Sequence, residues 1–86
     1  MSGDLTARLV TIWQTALKND TLDADSDFVE FGGTSLTAVR IRALIRAELG
    51  KDVDLLDILD YPTPSGLAPA VAEAPDWTGE DEQSAA

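Results

Sequence analysis

The chain has 86 residues, sixteen acidic and six basic side chains for a formal net charge of −10, and neither cysteine nor histidine. That length supports one small domain with a modest core and a radius of gyration of roughly 12 Å, too little for a deep substrate cavity. The composition excludes disulfides, thiolate chemistry and Cys- or His-based metal sites, removes the commonest general base, and argues against nucleic acid or anionic lipid as the main partner.

No apolar run approaches the ~20 residues of a membrane span, and Met1-Ser2-Gly3-Asp4 lacks the basic and apolar regions of a signal peptide. A cytoplasmic protein is expected. With neither Cys nor His available, a self-contained hydrolase or transferase is not, so a reactive group would have to arrive from outside.

Asp4 to Lys18 is predicted as the first helix. Leu5, Leu9, Ile12, Trp13, Ala16 and Leu17 recur at three- and four-residue spacing and make one apolar stripe. Asp4 and Lys18 suit the two ends of the helix dipole, and Trp13 is expected in the core. Residues 19–34 then form a long connection, and loops this long in small domains tend to be functional. Leu22, Phe28 and Phe31 are candidate anchors to the core, and Asp27 can cap a turn containing Phe28, Val29 and Glu30. Asp23, Asp25 and Asp27 resemble the start of an EF-hand loop. However, Phe28 stands where that loop needs Gly and Thr34 where it needs Glu, so a solvated acidic loop is expected instead.

Phe31-Gly32-Gly33-Thr34-Ser35-Leu36 is the stretch around which the rest is arranged. Two glycines precede a hydroxyl at the start of a long amphipathic pattern. Ser35 reads either as a helix N-cap or as a serine held out for covalent modification. The second helix is predicted from Ser35 to about Leu49, with Gly50 at C′. Ala38, Ile41, Leu44, Ile45 and Leu49 share its core face. Leu36, Val39, Ala43 and Ala47 form a second apolar strip, bordered by Arg40, Arg42 and Arg46. A helix apolar on two sides is wedged between neighbours or offers one side to a partner.

Asp54 can N-cap a short helix over Leu55 to Leu59 that ends before Asp60-Tyr61-Pro62. Thr63-Pro64 starts a fourth helix, with Leu67, Ala68, Val71 and Ala72 on its apolar side and Gly66 and Pro69 shortening or kinking it. Residues 1–73 form the domain, and 74–86 read as a mobile acidic tail around Trp77, which could dock back. The expected fold is all-α: a small four-helix bundle of three main helices and one short helix, with a long loop between helices 1 and 2.

From about Leu5 to Val71 the chain resembles the thiolation or carrier domains of thiotemplated biosynthesis, which carry 4′-phosphopantetheine. Asp27 to Leu36 is similar to that family's attachment motif, Arg40 to Gly50 to its second helix, and Asp57 to Pro64 to its third helix and the start of its fourth. The resemblance implies that a phosphopantetheinyl transferase moves the arm from coenzyme A onto Ser35, whose new terminal thiol holds an acyl or aminoacyl thioester. On this reading the glycines leave Ser35 open to the transferase, and the helix N-terminus favours a phosphate there. The chain is then not an enzyme but a monomer served by adenylation and by condensation or tailoring enzymes. Docking is expected through Thr34, Leu36, Val39, Arg40, Ala43, Ile58 and Tyr61. Gly32-Gly33 and the arginines of the second helix resemble peptidyl carriers of nonribosomal peptide synthesis. Acyl carriers of polyketide or fatty acid type, which more often have Asp before the Ser, are the alternative. Thr34 departs from the commonest residues of both branches. A third reading is an acidic helical interaction domain without a prosthetic group.

Overall fold

The computed structural model describes residues 2–78, with the side chains of residues 2–4 left out. Four helices follow in order: α1 (Ser2–Leu17), α2 (Ser35–Leu49), α3 (Leu55–Asp60) and α4 (Pro64–Glu73). No strand is formed among the described residues; an isolated antiparallel bridge joins Lys51 and Asp76. α1 packs on α2 and α4, α2 on α3, and α3 lightly on α4. The all-α bundle expected from periodicity is therefore the fold. The dipole role assigned to the Asp4 side chain, and residues 79–86 of the acidic tail, lie outside the described residues.

The core collects one stripe from each helix. Leu9, Ile12, Trp13 and Ala16 come from α1, Ala38, Ile41 and Ile45 from α2, Ile58 from α3, and Leu67, Ala68 and Val71 from α4. Leu44 and Leu49 lie half-buried at its margin. On α4 the buried positions are 64, 67, 68 and 71, the i, i+3, i+4, i+7 series, so Ala72 falls outside the stripe and is exposed. Pro69 sits inside α4 on its solvent side, where one backbone bond is lost without filling the core.

The starts of α3 and α4 and the end of α2 follow the expected chemistry, whereas α1 ends at Leu17, one residue before Lys18, with no basic side chain in its last turn. The Asp54 carboxylate accepts from the Leu56 amide and caps α3; the Thr63 hydroxyl accepts from the Gly66 amide and caps α4, with Pro64 at its first turn. Gly50 closes α2 in the left-handed conformation, φ 68°, and its amide donates to the Arg46 carbonyl at 3.1 Å.

The 19–34 connection is fastened along its length. Gln14 Nε2 donates to the Leu22 carbonyl at 2.9 Å, the Ser65 amide to the Ala24 carbonyl at 3.0 Å, and the Phe28 amide to the Pro62 carbonyl at 3.2 Å. The same Pro62 carbonyl accepts from Trp13 Nε1 at 3.0 Å. Leu22 and Phe28 are buried, and the Phe28 ring meets the Trp13 ring edge-on at 6.2 Å. Asp23 and Asp27 use their carboxylates on local amides, those of Asp25 and Val29. Phe31 departs from expectation. It is 48% exposed, because Phe28 already fills the slot against Trp13 and the chain turns outward after it.

Residues 74–77, read from sequence as the start of a mobile tail, return to the α2–α3 loop. The Asp52 amide donates to the Pro75 carbonyl and the Trp77 amide to the Gly50 carbonyl, both at 2.9 Å.

Candidate functional site

The local chain at Gly32-Gly33-Thr34-Ser35 is set by two different demands on its glycines. Gly32 has φ +90°, a conformation that side chains rarely adopt. Gly33 packs its backbone against Phe28: its amide donates to the Phe28 carbonyl at 2.7 Å, and a Cβ there would stand 2.5 Å from that oxygen. The glycines thus close the loop tightly onto Phe28, beyond any role in clearing space at Ser35.

Thr34, not Ser35, caps α2. Thr34 is extended, φ −130° and ψ −175°, and Ser35 is the first helical residue. The Thr34 carbonyl accepts the first helical bond from Ala38 at 3.1 Å. Its amide donates to Thr37 Oγ1 at 3.1 Å, the reach-back half of a capping box. The N-cap reading of Ser35 is corrected by one residue. Capping falls to a neighbour, so the Ser35 hydroxyl bonds nothing among the described residues and faces solvent.

This setting fits a phosphodiester on Ser35. The first amides of a helix have no intrahelical acceptors and carry the positive end of its dipole. No acidic side chain occupies the first turn of α2 to oppose a phosphate. The site is a protrusion: an open groove of about 710 Å³ between α3 and α4, bordered by Asp54, Asp57, Tyr61 and Glu73, does not include Ser35. The sequence holds neither His nor Cys to take a proton from Ser35.

The exposed large apolar side chains of the described chain all fall between residues 29 and 61: Val29, Phe31, Leu36, Val39, Leu56, Leu59 and Tyr61. α1 and α4 contribute none. Of the residues expected to dock, Thr34, Leu36, Val39, Arg40, Ala43 and Tyr61 are exposed. Ile58 is not; it is fully buried and anchors α3 to the core. α3 instead exposes Leu56 and Leu59. Its six residues carry two apolar pairs, Leu55 with Ile58 and Leu56 with Leu59, on different faces. Periodicity separates the pairs but does not say which one is buried.

The arginines of α2 also divide. Arg40 is exposed, whereas Arg46 is buried, donating to Asp52 Oδ1 from Nε at 3.1 Å and from a terminal nitrogen at 2.9 Å, with its guanidinium 5.5 Å over the Trp77 ring. Arg42 Nε donates to the Val53 carbonyl at 3.2 Å. Sequence periodicity placed Arg46 at the border of the outer strip and missed its partners. Asp52 and Trp77 stand six and 31 residues further along the chain, and only the fold brings them to Arg46.

Comparison with known proteins gives one family. A family model described as a phosphopantetheine attachment site matches residues 7–71. Tyrocidine synthase 3 of Brevibacillus parabrevis is 37% identical over 68 residues, covering 79% of this chain. Surfactin synthase subunit 1 of Bacillus subtilis (strain 168) is 34% identical over 67 residues, covering 78%. The chain spans only 1% and 2% of the lengths of these two relatives. A solved structure titled "Non Ribosomal PCP domain" superposes with a TM-score of 0.71 at 27% identity, covering 86% of this chain and 91% of that one. No described helix is long and apolar enough to cross a membrane.

Proposed function

Since the chain belongs to the phosphopantetheine attachment-site family, we propose that it is a peptidyl carrier of nonribosomal peptide biosynthesis, with Ser35 the residue that takes the arm. The observation that carries this is the uncommitted Ser35 hydroxyl on the first residue of α2, freed by a cap on Thr34. The peptidyl branch is favoured by the relatives named as tyrocidine and surfactin synthases and by the likeness to a non-ribosomal PCP domain.

Each part of the site has a role in this reading. The Ser35 oxygen attacks the phosphorus on the pantetheine side of the coenzyme A pyrophosphate and forms a P–O bond. The bond to the adenine nucleotide breaks, and the serine proton passes to a base on the transferase. The first-turn amides of α2 would hold the phosphodiester on Ser35. Once attached, 4′-phosphopantetheine supplies a thiol that holds an acyl or aminoacyl group as a thioester. Leu36, Val39, Arg40 and Ala43 of α2, with Leu56, Leu59 and Tyr61, form the surface for a transferase, an adenylation enzyme and condensation or tailoring enzymes in the cytoplasm. The chain itself contributes an oxygen and a surface; the catalytic groups belong to its partners.

The test is intact mass after incubation with a promiscuous phosphopantetheinyl transferase and coenzyme A. The wild type gains one pantetheine adduct and Ser35→Ala gains none. An unmodified wild type, or a modified Ser35→Ala, would sink the proposal.

A further inference from the structure

At the end of α2 remote from Ser35, residues 74–77 lie across the α2–α3 loop and are held by contacts of four kinds. Two main-chain bonds, Asp52 amide to Pro75 carbonyl and Trp77 amide to Gly50 carbonyl, make a short antiparallel pairing. Lys51 Nζ donates to the Ala74 carbonyl at 3.3 Å and lies 3.5 Å from the Asp76 carboxylate. The Trp77 ring stacks on the Arg46 guanidinium at 5.5 Å. Arg46 in turn grips Asp52, two residues before the Asp54 cap that starts α3. The indole N–H of Trp77 is buried without an acceptor among the described residues, so the ring is held for its face and not for its donor.

We infer that residues 74–77 are a strap that fixes the α2–α3 loop and, through it, α3, making Trp77, Arg46 and Asp52 positioning residues for partner engagement. The inference rests on the carrier reading, because α3 matters through the Leu56, Leu59 and Tyr61 side chains it and its end present. α3 has only six residues and one fully buried side chain, Ile58, so it depends on its flanks for its position. The preceding flank is clamped from two sides: Arg42 holds the Val53 carbonyl and the strap holds Asp52. Removing the strap leaves the Trp13–Phe28 core untouched and loosens α3 alone.

The experiment is amide hydrogen exchange together with the kinetics of pantetheine transfer from coenzyme A, on wild type, Trp77→Ala and Trp77→Phe. In Trp77→Ala the amides of Asp52, Asp57, Ile58 and Tyr61 exchange about tenfold faster, while those of α1 keep their protection. The transferase KM for this variant rises about threefold or more with kcat nearly unchanged. Trp77→Phe keeps a ring over Arg46 and has no indole N–H to bury, so it restores both readouts. Unchanged exchange in α3, or faster exchange with an unchanged KM, overturns the positioning role. Failure of Trp77→Phe to rescue overturns the ring-on-guanidinium account. A wild type that takes no pantetheine overturns the carrier reading and the positioning role together, while the exchange data still decide whether the strap holds α3.

Discussion

At the N-terminal end of α2, Ser35 and Leu36 face solvent and the serine oxygen bonds nothing among the described residues. At the C-terminal end, some 20 Å away at ~1.5 Å per residue, Arg46 is buried and Gly50 to Asp52 are tied to residues 74–77. The same helix is thus open at one end and fastened at the other. The open end is not loose, however: the Gly33 amide is fixed to the Phe28 carbonyl and the Phe28 amide to Pro62, which also takes the Trp13 indole. The fastening lies behind the serine, in the loop, so its exposure costs the helix no order. Accessibility and rigidity are supplied by different residues, and substitutions can separate them.

The largest effect should come from Phe28→Ala. Phe28 is fully buried against Trp13, and its loss should cost about 3–5 kcal/mol, enough to unfold much of so small a domain. Urea titration would show it. A cost under about 1 kcal/mol would mean that the loop does not rest on this ring. Next is Asp52→Ala, which leaves Arg46 buried without its carboxylate at 7% side-chain exposure. Asp52 keeps partial contact with solvent, so the cost should be about 1–3 kcal/mol by the same titration. A neutral result would show that Arg46 is held by its other contacts.

A smaller pair tests the cap. Thr34→Ala should lower stability by about 1 kcal/mol, whereas Ser35→Ala should lie within about 0.5 kcal/mol of wild type. If Ser35→Ala proved the more damaging, the serine would be doing the capping. Smallest in stability is Val39→Asp. Val39 is 46% exposed on α2, so melting should barely move while loading by an adenylation enzyme weakens. Unchanged loading kinetics would remove Val39 from the docking surface.

Much of this molecule was legible in its sequence because single helices report their buried stripe by spacing and their ends by chemistry. Asp54, Thr63-Pro64 and Gly50 marked the termini of α3, α4 and α2, and the second apolar strip on α2 is exposed as its periodicity implied. What spacing does not carry is choice among equivalents. Ser35 and Thr34 are adjacent hydroxyls with equal claim to the cap, and the extended backbone of Thr34 decides between them. Phe28 and Phe31 competed for one slot beside Trp13, and Phe28 occupies it. In α3 the choice between Ile58 and its neighbours depended on where α2 and α4 lie. The pairing of Arg46 with Asp52 and Trp77 spans up to 31 residues (46 to 77) and has no local signature.

The placement of the two tryptophans has an optical consequence. Trp13 is sealed from water behind the loop that presents Ser35, and Trp77 lies half-exposed over a cation at the other end of α2. Indole emission shifts to the blue in dry surroundings and to the red in wet ones. The chain therefore carries two intrinsic fluorophores of different colour, one reading the seating of Phe28 and the other the closure of the strap. With Trp13 or Trp77 replaced by Phe in turn, each end of the helix can be watched separately as partners bind.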